Sequence, residues 1–272
     1  MGVFLRNDAG GAVAALAAGL AGHATLACPW EGRPRRPPAR APRSNVPVRP
    51  SRFDRPAGDG QAPNGRLDPR SVMVELDRVL PRDRQVVSNG GHFIGWAHYH
   101  LALPGPDWPT LVGTHFLAIG LRFPSSVGAV RARPEATVVV VTGDGVRLLG
   151  LTGLHALVLA ARSVVVIVFN DACHGAEIHQ YGPCGVDEAV MEIPGVSCAD
   201  LVPGFGARGV RVDTMAALAA AQEWADAGAA GAIVVGLRIS REVVASYIEE
   251  VIALALANWG WGLPRPPPDD LS

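Results

Sequence analysis

The stretch TVVVVTGDG, residues 137–145, decides the fold of this chain. Its β-branched residues form a continuous apolar run, which predicts a strand that is buried on both faces. A second run of this kind, VVVIVF at residues 164–169, is followed directly by Asn170. The intervening residues 148–161 have a helical pattern, so the whole segment predicts a β-α-β unit with parallel strands. Such a unit brings Asp144 and Asn170 to the same edge of one sheet.

Asp144 and Asn170 carry the side chains that a metal-diphosphate site needs. Open α/β sheets bind ligands beyond the carboxyl ends of their strands. Mg²⁺ prefers oxygen ligands and takes several of them from phosphate and water, so one carboxylate and one amide oxygen are a sufficient side-chain contribution. Gly143 and Gly145 let backbone N–H groups approach phosphate oxygens, and the next helix presents its positive end to the same charge. A bare Gly-Asp-Gly is also a common solvent-facing turn, so the prediction depends on the spacing to Asn170.

The alternation of helix and strand patterns continues along most of the chain. It predicts an α/β fold, a doubly wound and mostly parallel sheet with helices on both faces. The patterns predict helices at about 68–80, 92–101, 124–131, 148–161, 197–205, 213–227 and 240–257, and strands at 86–88, 137–142, 164–169, 209–212 and 232–237.

Composition divides the chain into four parts. Residues 1–28 contain a short Ala-rich helix, expected at 11–22. Residues 29–66 are rich in Pro, Arg and Gly and have few large apolar side chains, so they cannot offset the entropy of ordering and are expected to form a disordered linker. Residues 67–260 form the α/β domain. Residues 261–272 form a Pro-rich tail.

The charge and cysteine content exclude several classes of function. The chain has 24 basic and 25 acidic residues, a balance that does not favour nucleic-acid binding. All the basic residues are Arg, which excludes a P-loop lysine and a Schiff-base lysine. Four cysteines without Cys-x-x-Cys spacing indicate a reduced, cytoplasmic protein, although the N-terminal residues loosely imitate a secretory signal. No apolar run is long enough to span a membrane.

Three further segments show a resemblance to thiamine-diphosphate-dependent enzymes, whose signature is Gly-Asp-Gly followed at about this interval by Asn. SNGGH at 88–92 resembles the family's opening strand and turn, where a His lies near the cofactor diphosphate. AIG at 118–120 resembles the segment that supports the bent cofactor, and NDACHGAE at 170–177 resembles the loop after the metal ligand. The resemblance extends from about residue 67 to 257 and is nearest to the C-terminal domain of acetolactate-synthase-like enzymes.

The resemblance implies thiamine diphosphate and Mg²⁺ as cofactors and assigns a role to each matching residue. The implied metal ligands are Asp144, the side chain of Asn170 and the carbonyl of Ala172. The implied cofactor-binding residues are Gly143, Asp144, Gly145, His92, Ile119, Asn170 and Gly175, with Ile119 beneath the bent cofactor. Four alternatives stay open: a solvent-facing turn for Asp144, a strand-end cap for Asn170, plain core packing for Ile119 and a surface position at a helix start for His92. Four other histidines are expected on the surface or in loops rather than as ligands, because the implied metal site is built from oxygen: His98, His100, His174 and His179. A nucleophilic Cys173–His174 pair is not favoured, because adjacent residues of one loop seldom face each other.

The chain also departs from the family pattern. Val146 and Arg147 follow the Gly-Asp-Gly where a small residue is usual, and Arg122 stands at a position that is normally small. Gly153 stands early in the next helix, where the family usually has an acidic residue. Bulky residues near a tightly held diphosphate can block the close approach of the backbone, so these changes bear on cofactor affinity.

The family activates its cofactor with a Glu on a separate pyrimidine-binding domain. The only Glu before residue 67 is Glu31, in the Pro/Arg-rich tract, and it is not expected to be that base. We therefore expect a transferase or lyase that is active only with a complementary pyrimidine-domain chain, as a homodimer or a hetero-oligomer, on a 2-oxo acid such as pyruvate. The alternative is a diverged, non-catalytic relative that serves as a cofactor-binding or interaction module. A nucleotide-binding α/β domain is a third possibility, disfavoured because Gly-x-Gly-x-x-Gly is absent after the first clear strand.

Overall fold

The computed structural model describes residues 57–113, 118–147, 149–193, 196–250 and 252, all within the second of the two units into which the chain divides, Val48–Ser272. These residues form one sheet of six parallel strands in the order β2-β1-β3-β4-β6-β5. The strands are β1 (Arg84–Ser88), β2 (Pro109–Leu111), β3 (Thr137–Gly143), β4 (Ser163–Asn170), β5 (Arg208–Val212) and β6 (Gly231–Arg238).

The two central strands show why the sheet is covered on both faces. All seven residues of β3 are buried, and β4 is buried from Val164 to Phe169. Because successive side chains of a strand point to opposite faces, Val139 and Val141 belong to one hydrophobic core, whereas Val138 and Val140 belong to the other. The doubly wound α/β fold that the sequence predicts is confirmed.

Helices and short turns cover both faces of this sheet. The α-helices are α1 (Pro69–Val79), α2 (Ile94–His100), α3 (Arg122–Ala132), α4 (Asp144–Arg147), α5 (Leu151–Ala160), α6 (Gly175–Tyr181), α7 (Cys198–Leu201) and α8 (Ala219–Asp226). Helix α1 begins as predicted, because the Asp68 carboxylate accepts a hydrogen bond from the Arg70 N–H and Pro69 occupies the first turn. No helix among the described residues is long and apolar enough to cross a membrane.

The observed elements differ from the predicted ones most at three places. Strand β2 was not predicted, because it has only three residues and none of them is buried. The helix expected from residue 148 begins at Leu151, after the separate short helix α4. The last helix, expected from Ser240, begins at residue 246. The Ser240 N–H instead donates to the Leu67 carbonyl, and the Ala245 N–H donates to the His92 ring, so tertiary contacts hold this segment out of a helix.

The N-terminal side of the domain extends further than the predicted boundary at residue 67. Residues 57–66, which composition assigns to the linker, contact the domain: Ala62 is buried, and the Asn64 side-chain amide donates to the Ser240 hydroxyl. The predicted helix at 11–22, the linker before residue 57 and the Pro-rich tail lie outside the described residues.

Candidate functional site

A cavity of about 330 Å³ lies beyond the carboxyl ends of β1, β3 and β4. The chain passes from β1 to β2 on one side and then to β3 on the other, so β1 and β3 flank the point where the strand order reverses. Open α/β sheets bind ligands at this kind of position. The cavity is lined by Asn89, Gly90, Gly91, His92, Phe93, Gly113, Ala118, Ile119, Gly143, Asp144, Gly145, Phe169, Asp171, Cys173, His174, Gly175, Ala176, Glu177 and Ile239. The structure therefore brings together six of the predicted site residues.

The Gly-Asp-Gly turn forms one wall of this cavity. Asp144 is 2% exposed, and its Oδ1 accepts a hydrogen bond from the Gly145 N–H at 3.0 Å. A Cβ added at Gly145 would lie 2.7 Å from Ile193 Cδ1 and 2.8 Å from His174 Cε1. Since real Cβ atoms do not approach so closely, the backbone here tolerates glycine alone without rearrangement.

His92 also lines the cavity and is 4% exposed. Its Nε2 accepts a hydrogen bond from the Ala245 N–H at 2.8 Å, so the neutral ring carries its proton on Nδ1. Nδ1 has no hydrogen-bond partner and lies 3.8 Å from the Asp171 Oδ2. Gly175 permits this arrangement, because a Cβ there would lie 2.5 Å from Asp171 Oδ2 and 3.0 Å from His92 Nδ1. His92 is a buried cavity residue, and the alternative of a surface residue is wrong.

Several buried polar atoms around the cavity lack partners. Asn89 lines the cavity, and its buried Oδ1 has no hydrogen-bond partner among the described residues; Trp96 Nε1, whose ring contacts His92, has none either. Buried polar groups of folded proteins are almost always hydrogen-bonded, so these atoms indicate a polar environment around the site. The Asn89 Oδ1 is an acceptor and fits a donor or a cation, whereas the unpartnered His92 Nδ1–H is a donor that fits a diphosphate oxygen.

Phe93 and Ile119 supply the apolar part of the lining. The Phe93 ring packs against the glycine backbone, since a Cβ at Gly91 would lie 2.4 Å from its Cε1 and a Cβ at Gly143 3.0 Å from its Cδ1. Ile119 is 53% exposed at the cavity. A side chain exposed to this extent borders open space, so Ile119 is not packed within a core.

The remaining predicted metal ligands face a different space. Asn170 and Ala172 line a neighbouring cleft of about 270 Å³, whereas Asp144 lines the main cavity. The Asn170 Oδ1 accepts from the Ala172 N–H at 3.2 Å, and the Ala172 carbonyl accepts from the Ile193 N–H at 2.9 Å. Each oxygen keeps a second lone pair, so both remain chemically able to bind a cation. Among the described residues, no cluster of three His, Cys, Asp or Glu side chains could hold a metal.

The electrostatics of the loop after Asn170 do not favour a nucleophilic cysteine. Burial, with a further contribution from Asp171, raises the pKa of the Cys173 thiol far above its usual value. A thiol needs a lowered pKa to react as a thiolate at neutral pH. Burial, together with the neighbouring His92, lowers the pKa of His179.

Three residues that line the cavity had no role predicted from the sequence: Asp171, Phe93 and Glu177. Asp171 is 6% exposed and adjoins Asn170 in sequence, and a charged residue directly after a buried strand was a signal that could have found it. No feature of the sequence near Phe93 indicated that it lines the cavity. Its position depends on close packing against Gly91 and Gly143, which are far apart in sequence.

Comparison with known proteins defines the class to which this arrangement belongs. Residues 89–236, more than half of the chain, match the family model "Thiamine pyrophosphate enzyme, C-terminal TPP binding domain". The chain therefore belongs to the thiamine-diphosphate-dependent enzyme family and contains its C-terminal cofactor-binding domain.

Individual relatives place the chain within this family. It is 30% identical over 188 residues to "Putative acetolactate synthase large subunit IlvB2" of Mycobacterium tuberculosis, covering 68% of this chain and 33% of the relative. It is 32% identical over 174 residues to 2-hydroxyacyl-CoA lyase 2 of Danio rerio, covering 63% and 26%. The chain thus spans about a third or less of the relatives it matches. Benzoylformate decarboxylase from Polynucleobacter necessarius has the same fold, with a TM-score of 0.59 at 20% identity over 68% of this chain and 35% of that one.

Proposed function

We propose that this domain binds thiamine diphosphate and Mg²⁺ as part of an acetolactate-synthase-like carboligase or a 2-oxo-acid decarboxylase. The observation that carries the proposal is the convergence of the Gly-Asp-Gly turn, His92 and Gly175 on one cavity with unpartnered buried polar atoms. When bound, thiamine diphosphate supplies the carbon chemistry, and the protein supplies binding and orientation.

Each proposed contact follows from the geometry of the cavity. The His92 Nδ1–H is a buried donor without an acceptor, and we assign it to a diphosphate oxygen. The Gly143 and Gly145 backbone brings the diphosphate close to the start of α4. Asp144 binds Mg²⁺ in this proposal, and the Asn170 and Ala172 oxygens complete the protein ligands only if they turn from the neighbouring cleft towards the ion at Asp144. Ile119 contacts the apolar part of the cofactor from the cavity edge.

Turnover in this proposal also requires a pyrimidine-binding domain, which we assign to a partner chain in a hetero-oligomer. The matched segment is about a third or less of the length of the relatives, which supports the need for further domains. The substrate class is a 2-oxo acid such as pyruvate. The second candidate function is a non-catalytic cofactor-binding or interaction module, and it is supported by the bulky Arg122, where the family resemblance implies a small residue.

Calorimetry with the complete chain tests the proposed site. We expect saturable binding of thiamine diphosphate in the presence of Mg²⁺. Chelation of the metal with EDTA should abolish it, because the metal links the diphosphate to Asp144. Thiamine without phosphate should bind at least about tenfold more weakly, since it loses the charged contacts. Absence of binding by the unmodified chain would refute the site.

Pyruvate consumption tests the division of the active site between chains. We expect no turnover by the isolated chain with both cofactors, and turnover after addition of a chain that carries the pyrimidine-binding domain. A complementary chain whose activating Glu is replaced by Gln is the control and should not restore it. Pyruvate turnover by the isolated chain would contradict the proposal, and binding without turnover in any combination would support the non-catalytic alternative.

A further inference from the structure

Among the residues that the structure describes, Arg122 is a buried cation without an anionic partner. It is 0% exposed, and its Nε, Nη1 and Nη2 atoms have no hydrogen-bond partner there. Burial lowers the pKa of its guanidinium to about 9, which still leaves it charged at neutral pH. A buried charge without a partner is costly, and arginine offers five donors that normally find acceptors.

The other fully buried arginine of the described residues shows what is missing at Arg122. Arg84 is also 0% exposed, but its guanidinium forms an ion pair with Asp77 and donates to the Ala102 carbonyl at 3.0 Å. The Arg122 guanidinium instead lies over two aromatic rings, with its Cζ 5.7 Å from the centroids of both Phe93 and Phe123. Cation–π contacts of this length attract a cation but do not satisfy its N–H donors.

Arg122 is next to the proposed cofactor cavity. Phe93 lines that cavity and packs against the backbone of Gly91 and Gly143. The guanidinium contacts the same ring and is therefore one side chain away from the turn that follows β3. In a poorly solvated interior, a charge at this distance still acts on an anion in the cavity.

The charge of the cavity lining explains why an anionic ligand needs this cation. The lining contains the carboxylates of Asp144, Asp171 and Glu177 and, among the described residues, no arginine. The chain has no lysine. A diphosphate carries about three negative charges and one Mg²⁺ neutralises two of them, so the loaded cavity would hold excess negative charge.

We propose that Arg122 supplies the buried positive charge that stabilises the diphosphate group of the bound cofactor. The inference rests on the proposed function and adds a binding residue to it. Cofactor binding would supply the counter-charge that the guanidinium lacks among the described residues.

Calorimetry and thermal unfolding of Arg122→Met, Arg122→Gln and Arg122→Lys test this role. We expect thiamine diphosphate with Mg²⁺ to bind Arg122→Met and Arg122→Gln at least about tenfold more weakly than the unmodified chain. Arg122→Lys should recover part of the affinity that Arg122→Met loses, because a buried lysine keeps only part of its charge at neutral pH. The unliganded Tm of Arg122→Met should be no lower than that of the unmodified chain, because methionine removes an unpartnered buried charge.

Arg133→Gln is the matched control, because it removes one positive charge at the other end of α3, where Arg133 pairs with Asp107. It should leave the affinity unchanged. Unaltered binding by Arg122→Met or Arg122→Gln would overturn the role of Arg122. Failure of both variants to fold would overturn it as well, since Arg122 would then serve the unliganded fold. Absence of binding by the unmodified chain would instead refute the proposed function and, with it, this inference.

Discussion

Asp144→Ala is expected to weaken the binding of thiamine diphosphate with Mg²⁺ by at least about a hundredfold, or about 2.7 kcal/mol. The carboxylate is 2% exposed in the wall of the cavity, and it is the proposed metal ligand that already faces it. Its loss would remove the proposed coordination bond to Mg²⁺ and the negative charge that attracts the ion. The change leaves the glycine backbone on either side in place, so the chain should stay folded. Calorimetry at a fixed Mg²⁺ concentration measures the effect, and circular dichroism confirms the fold.

Two variants distinguish metal binding by Asp144 from a general effect of removing an acidic residue. Asp144→Asn keeps the shape of the side chain and the hydrogen bond to the Gly145 N–H but loses the charge, and we expect most of the loss of affinity to persist. Asp200→Ala removes an exposed carboxylate that pairs with Arg211 at 3.5 Å, and it should bind the cofactor normally. Full affinity in Asp144→Ala would exclude Asp144 as a metal ligand.

Arg84→Met is expected to lower the free energy of unfolding by about 3 kcal/mol. Arg84 lies at the start of β1, is fully buried and forms an ion pair with the Asp77 carboxylate at the end of α1. Its Nη1 also donates to the Asp77 carbonyl at 3.2 Å, so one side chain links helix α1 to the sheet. Burial lowers the pKa of Arg84, while the Asp77 charge acts in the opposite direction. Methionine would leave the Asp77 carboxylate and the Ala102 carbonyl without this donor.

Urea denaturation followed by circular dichroism measures this loss. Arg162→Met is the control, because Arg162 and its partner Glu135 are both largely exposed and lie 3.5 Å apart. An exposed pair of this kind contributes less than about 1 kcal/mol. Equal midpoints for Arg84→Met and the unmodified chain would show that the Arg84–Asp77 pair does not hold α1 to the sheet. Arg122→Met is expected to act in the opposite direction, because Arg122 has no such partner to leave behind.

The sequence predicted the central strands of the fold, because the residues that determine each strand lie within that strand. The apolar runs at 137–142 and 164–169 could be buried only in a sheet covered on both faces, and the observed strands extend them by one residue at one or both ends. The prediction was poorest where a segment is short or exposed, as in β2, and where distant contacts decide the backbone. Residues 240–245 are the clearest example, because this segment donates hydrogen bonds to the Leu67 carbonyl and the His92 ring in place of those of the predicted helix.

For the site, the sequence by itself determined the Gly-Asp-Gly turn at the end of β3, Asn170 at the end of β4 and the family to which both point. The turn and Asn170 could be predicted because each depends only on the residues of one strand and the turn after it. Only the tertiary structure decided that His92 and Gly175 share a cavity with Asp144, that Asn170 and Ala172 face the neighbouring cleft, and that Arg122 is buried without a partner. These features depend on packing between segments far apart in sequence, where the space left by one glycine or one aromatic ring determines what a side chain can reach.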